Sequence, residues 1–279
     1  MMCIASLCFT LNDTTTKFLI DQYHVTVIIF VRSILAMPLL VVMAITLGRE
    51  KVRWSRRVLF HGLRGAIGLL AAYLYIRGLE YLSVAEATVI LFGSPIIITA
   101  STVLIFKEQV GWRTWAAVVM SFLGVTIAIQ PGAATFQPAS LFILASSFLY
   151  ATNSLTARWI PEEDNLWTVS FFGAFFAALL VAPMAMTHWR TLDAADFALF
   201  GSAALCSSLG IGLGSLAYRI ARASDLAPFG YSGLIWSLSV TWIVWGTMPG
   251  VWTFVGAFVI ASSILFHFMS PPRPREEMK

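Results

Sequence analysis

The chain has 279 residues, 58% of them hydrophobic and 11% charged, with a mean hydropathy of +0.81 and a formal net charge of +4. A soluble domain has no interior large enough for that apolar surface, so the composition excludes an ordinary soluble enzyme or binding module. The Lys and Arg residues stand in short segments between apolar stretches, where they set orientation in a membrane better than they bind nucleic acid.

Each membrane span takes about 20 apolar residues, and apolar runs bounded by charges or turn residues predict ten of them. The first covers 2–21 and carries Asn12, Asp13 and Lys17. With no basic start and no small-residue cleavage site, it reads as a retained span and not as a signal peptide. The second, 25–47, and the third, 58–79, hold Arg32 and Arg64 near their ends, and the third adds Tyr73 and Tyr75 at depth. The fourth, 82–106, contains Phe92-Gly93-Ser94-Pro95, and the fifth is 112–130. The sixth, 138–160, carries Tyr150, Asn153 and Ser154; the seventh is 166–187. The eighth, 195–218, contains Gly210-Ile211-Gly212-Leu213-Gly214, which lacks the preceding strand of a nucleotide fold and reads as close helix packing. The ninth, 222–246, holds Pro228, Tyr231 and Trp236, and the tenth is 251–269.

With both termini cytoplasmic, the inside loops hold thirteen cations and the outside loops three, Lys17, Arg77 and Arg190. That bias follows the positive-inside rule. Trp54, Trp112, Trp159, Trp167, Trp189 and Trp252 stand near span ends as an aromatic belt. Cys3, Cys8 and Cys206 lack metal or CxxC spacing and read as small packing residues.

A shift of 139 residues lays span four on span nine and span five on span ten, bringing Glu86 onto Asp225, Thr102 onto Thr241 and Gly111 onto Gly250. A shift of 141 brings Asn12 onto Asn153 and Lys17 onto Arg158. Five spans per copy is an odd number, so the second copy enters the membrane from the opposite side. The expected fold is all-α and integral to the membrane, ten transmembrane helices in two five-helix inverted repeats, 1–133 and 134–272, with a cytoplasmic tail at 273–279.

The chain resembles the ten-helix EamA-type members of the drug/metabolite transporter superfamily. The resemblance rests on Ser94-Pro95 through Phe106-Lys107-Glu108, Thr114 and Gly124, and on Ala223-Ser224-Asp225-Leu226-Ala227-Pro228-Phe229 through Trp245-Gly246-Thr247, Thr253 and Gly256. Thr247 stands where the second copy should carry a Glu, so any role for that Glu passes to Glu108 alone. The resemblance implies a secondary transporter of small metabolites in the bacterial inner membrane. The ten-helix layout looks most like the YddG-type exporters of aromatic and other neutral amino acids. Nucleosides or organic cations exchanged for protons are the alternative.

Inverted-repeat carriers place substrate near the midplane between matched helices. Asn12, Phe92, Ser94, Tyr150, Asn153, Tyr231 and Trp236 are the candidate substrate contacts, with helix-to-helix hydrogen bonding the plainer reading of each Asn. Pro95 and Pro228 are candidate hinges. Asp13 is expected to pair with Lys17 one turn on, which leaves no deep carboxylate for obligatory ion coupling; titration during transport is the other reading. No cofactor, metal or nucleic-acid partner is expected, and the carrier should work as a monomer in contact with lipid. An intramembrane enzyme or a channel is the rival class. The four histidines form no HExxH pair, and no buried Ser has a His within helical reach, so catalysis is not expected.

Overall fold

The computed structural model describes residues 1–94, 97, 101, 112–130, 136–160, 163–220 and 232–268. The described residues form ten α-helices and no strand: α1 Met2–Ile20, α2 Val25–Met43, α3 Val58–Leu79, α4 Val84–Leu91, α5 Trp112–Ile129, α6 Ser140–Leu155, α7 Leu166–Thr187, α8 Ala194–Ile220, α9 Ser232–Trp245 and α10 Val251–Phe268. Four of them, counting α2 with its continuation to Gly48 and α8 to Gly214, are long and apolar enough to cross a membrane. Consecutive helices alternate in direction. One end of the bundle, the near end, carries the chain start, the 49–57 loop and residues 163–165; the far end carries 21–24, 80–83, 188–193 and 246–250.

Local chemistry sets the helix limits. Ser83 caps α4 through a reciprocal box with Glu86, and Asn165 accepts from Thr168 N at 2.9 Å to start α7. Arg49 and Gln130 turn left-handed, at φ 51° and 50°, to close the π-turn after α2 and the end of α5. In α1 the hydroxyls of Ser6, Thr10, Thr14 and Thr16 each donate to the carbonyl four residues back. This satisfies a polar stripe without water and lets it be buried. Large apolar side chains such as Leu59, Ile243, Val251 and Phe258 point outward, as a hydrocarbon-facing surface requires.

The most extensive packing joins the first five helices to the last five: α5 with α10, α1 with α8, α2 with α7 and α3 with α6. Exchanging the halves leaves this pattern unchanged, because α1 with α8 becomes α6 with α3, and α2 with α8 becomes α7 with α3. The inverted repeat is thus visible in the packing. Within each half the helices pack on one another far less than they pack across to the other half. α8 packs on both α1 and α2, α3 packs on both α6 and α7, and the α2–α7 contact joins these two groups.

Glycines permit the closest approaches. A Cβ added at Gly256 would lie 2.5 Å from the Gly124 carbonyl oxygen, and one at Gly65 2.5 Å from Phe176 Cβ. Gly210 and Gly212 face Phe9 and Trp167, the close packing expected of that run. Trp167 itself corrects the aromatic belt: it is 3% exposed and fills the space above Gly48, whereas Trp54 at 79% does sit outside.

Candidate functional site

A polar cluster lies inside the bundle where α1, α2 and α3 meet. Asp13 is seven residues from the far end of α1, roughly 10 Å along the helix. Its Oδ1 accepts from Asn12 Nδ2 at 2.9 Å and its Oδ2 from the Tyr75 hydroxyl at 2.8 Å. Arg32 Nη1 reaches Asn12 Oδ1 at 3.5 Å. Asn12 is buried, while Asp13, Arg32 and Tyr75 keep partial exposure. Charged groups at this depth are costly facing lipid and as a rule turn toward the bundle interior.

The expected Asp13–Lys17 pair is absent. Lys17 Nζ turns away to donate to the carbonyls of Leu79 and Leu82, each at 2.5 Å, where α3 ends and the chain turns into α4. The α3 terminus leaves carbonyls without helical donors, and the ammonium satisfies the one at Leu79 together with that of Leu82 in the turn before α4. Arg32 is corrected as well, since its guanidinium lies level with Asn12 and not at a span end.

α3 connects this cluster to the second candidate helix. Arg64, Gly68, Ala71 and Tyr75 fall on one face at helical spacing. Arg64 Nη1 donates to the Asn153 carbonyl at 2.9 Å and to Thr156 Oγ1, and Ser146 Oγ donates to the Ala71 carbonyl at 2.8 Å. Asn153 Nδ2 lies 3.3 Å from where a Cβ on Gly68 would be, and its buried Oδ1 has no hydrogen-bond partner among the described residues. Asn12 and Asn153 therefore lie on opposite stretches of α3 and do not touch.

The remaining sequence candidates are dispersed. Phe92 packs its ring 3.4 Å from a Cβ built on Gly233, beside Ser6, and Ser94, two residues on, is buried. Trp236 Nε1 donates to the Cys3 carbonyl at 3.0 Å, which ties α9 to the start of α1. Tyr150 is 54% exposed although it shares a helical face with buried Ile143 and Ser147. Pro95, Pro228 and Tyr231 lie outside the described residues. Sequence reasoning passed over Arg32 and Arg64 as site residues and left Tyr75 among the deep aromatics without a partner. Their signal was present: Arg at depth in a span and a Tyr at a helical interval from it.

One arrangement brings a histidine to a serine and a carboxylate through the tertiary fold. Ser55, His61 and Asp164 meet at the near end, with Ser55 Oγ donating to Asp164 Oδ2 at 2.6 Å and His61 Nε2 lying 2.9 Å from that oxygen and 3.1 Å from Ser55 Oγ. Serine and aspartate engage the same ring nitrogen, whereas a hydrolytic triad needs them on opposite nitrogens. The three side chains are almost fully buried, and His61 stacks on Phe172 at 5.3 Å. This is a clasp holding the 49–57 loop to α7, helped by Asn165 Nδ2 on the Lys51 carbonyl and Arg53 N on Thr168 Oγ1. No group of three His, Cys, Asp or Glu residues among the described ones can hold a metal.

At the far end a small cavity of about 40 Å³ is lined by Leu82, Glu86, Ile90, Gln137, Ser140 and Thr253, room for little more than water. At the near end an open hollow of about 500 Å³ lies among Arg49, Glu50, Lys51, Arg53, Glu163 and Asn165.

A sequence model of the EamA-like transporter family matches this chain twice, over residues 1–130 and 137–269. An S-adenosylmethionine uptake transporter of Rickettsia prowazekii (strain Madrid E) is 24% identical over 257 residues, covering 92% of this chain and 87% of the relative. A riboflavin transporter of Vibrio cholerae serotype O1 is 24% identical over 273 residues, 95% of this chain and 90% of the relative. A solved crystal structure superposes with a TM-score of 0.66 at 15% identity over 95% of each chain, which shows a shared fold.

Proposed function

The chain belongs to the EamA-like transporter family, and from that premise we propose that it carries small polar metabolites across a bacterial inner membrane by alternating access. The observation that carries this reading is the interior cluster of Asn12, Asp13, Arg32 and Tyr75, which holds two charged groups deep inside an apolar bundle. Such groups are costly in a membrane, and where they occur they mark substrate or ion pathways. Access alternates by movement of α1, α2 and α8 against α3, α6 and α7 about the α2–α7 contact as pivot, with the Tyr75–Asp13 bond closing one side. Asn153, Phe92, Ser94 and Trp236 supply the rest of the passage, and both termini face the cytoplasm.

The substrates are aromatic and other neutral amino acids or metabolites that contain them, and net flow follows the gradient, outward when the cytoplasmic pool is higher. The named relatives carry S-adenosylmethionine and riboflavin, so both belong in the test beside the amino acids and nucleosides. Flux of radiolabelled solutes into sealed proteoliposomes, saturating at high solute, supports the carrier; no flux of any member above protein-free vesicles removes it.

A second reading, proton coupling at Asp13, is favoured by one observation: Lys17 is engaged with the Leu79 and Leu82 carbonyls and so does not neutralise that carboxylate. Flux that requires an imposed proton gradient selects the coupled mechanism; flux without one selects the facilitated mechanism.

A further inference from the structure

We propose that Asp13 and Arg32 are the two ends of a receptor for an α-amino-acid head group, the carboxylate taking the substrate ammonium and the guanidinium its carboxylate. This rests on the carrier reading above and specifies what its interior cluster selects.

Three observations carry it. First, the opposite charges are held apart. No ion pair within 4.0 Å joins Asp13 to Arg32 among the described residues; a single amide, Asn12, stands between them, donating to one and accepting from the other. A zwitterion places its own opposite charges one carbon apart, so it spans such a gap with an ion pair at each end. Second, both groups have capacity to spare. Asp13 accepts two hydrogen bonds where a carboxylate has about four lone-pair sites, and Arg32 uses one of about five donors, in a bond at the 3.5 Å limit. A guanidinium whose fork is open is suited to bidentate binding of a carboxylate.

Third, the cluster has no counterpart in the second half. At the repeat offsets Asp13 falls on Ser154, Tyr75 on Gly214 and Arg32 within Phe171-Phe172-Gly173. The inverted fold therefore stands without these charges, and their presence in one copy alone is a requirement of the cargo. Asn12 and Arg32 belong to the α1, α2 and α8 group while Tyr75 belongs to the other, so the receptor travels with one group and is covered from the second.

The test is equilibrium binding to the full chain in lipid nanodiscs, using tritiated α-amino acids from glycine to tryptophan. Phenethylamine and 3-phenylpropionate, which each keep one of phenylalanine's charges, serve as competitors. The wild type should bind amino acids and take either single-charge analogue at least about 10-fold more weakly. Asp13→Asn should lose the amine and zwitterion while keeping 3-phenylpropionate; Arg32→Gln should do the reverse, with Arg32→Lys restoring part of the zwitterion binding. Opposite changes in charge preference cannot come from general misfolding. Equal competition by all three compounds in the wild type, equal weakening of all of them in both variants, or no binding of any α-amino acid overturns the proposal. Binding that needs both charges but without vesicle flux leaves the receptor standing and removes the carrier.

Discussion

The Tyr75 hydroxyl on α3 donates to Asp13 Oδ2 on α1 at 2.8 Å, across a boundary where those helices touch little. The bond joins the α1, α2 and α8 group to the α3, α6 and α7 group inside the bundle. A hydrogen bond to a charged group contributes about 1.5–3 kcal/mol, a factor of 10 or more in a two-state equilibrium. Tyr75→Phe should therefore shift the carrier toward the state in which these groups part. A Thr14→Cys reporter, buried beside Asp13, should react faster with a membrane-impermeant maleimide from one side in the variant. Unchanged labelling from both sides would show that the bond closes nothing.

Lys17 offers a contrast. Because its ammonium caps the Leu79 and Leu82 carbonyls, Lys17→Met should destabilise the α3–α4 turn by about 1–3 kcal/mol. It should leave the charge preference of bound solutes alone. Thermal unfolding in detergent and the competition assay separate the two effects. A double variant with Asp13→Asn should be additive, since the two residues share no bond. Strong coupling in that cycle would restore the ion pair the sequence suggested.

Helix content and the repeat were legible because they follow from apolar run length, turn residues and a constant offset, all one-dimensional properties. Asn12 was legible as a polar residue at depth. Its surroundings were not, because Arg32 and Tyr75 are 20 and 63 residues away in sequence and come together only through helix packing. Lys17 misled for a related reason. A one-turn spacing from Asp13 predicts a pair when helices are isolated, but the open carbonyls ending α3 are a tertiary feature that outcompetes it. Ser55 and Asp164, which clasp His61, are likewise 109 residues apart, so helical reach could not reveal them.

The clasp should be structural. Asp164→Ala leaves Ser55 and His61 with a lost partner, and buried polar groups so exposed cost about 1–3 kcal/mol each. Lower thermal stability and faster proteolysis within the 49–57 loop are expected. The wild type should hydrolyse an activated ester no faster than the same protein carrying Ser55→Ala. Esterase activity lost with Ser55 would make the cluster catalytic.

Gly256 should be intolerant of any side chain. An added Cβ would lie 2.5 Å from the Gly124 carbonyl oxygen and 2.8 Å from Ala128 Cβ, so the clash is with backbone and cannot be relieved by a rotamer. Gly256→Ala should separate α5 from α10 and destabilise by about 1–3 kcal/mol. Gly173→Ala, with nothing within 4 Å of the added carbon, is the control. Equal unfolding temperatures for the two variants would show that the α5–α10 approach is not tight.

At the far end, His24 stacks on His188 with ring centroids 4.0 Å apart, and its Nδ1 accepts from Thr26 N at 3.4 Å to cap α2. Burial first, then the neighbouring His188, lower the His24 pKa, so the folded chain prefers the neutral ring. The unfolded chain takes up a proton at the ordinary histidine value of about 6.5. Between that value and the lowered one the unfolded state binds more protons, so stability is full above the ordinary value and declines as pH falls through this window. His24→Asn retains a capping acceptor and cannot titrate. Unfolding temperature should therefore drop more steeply from pH 7 to pH 5 in the wild type than in His24→Asn. Parallel pH profiles for the two proteins would remove the stacked pair as a source of acid sensitivity.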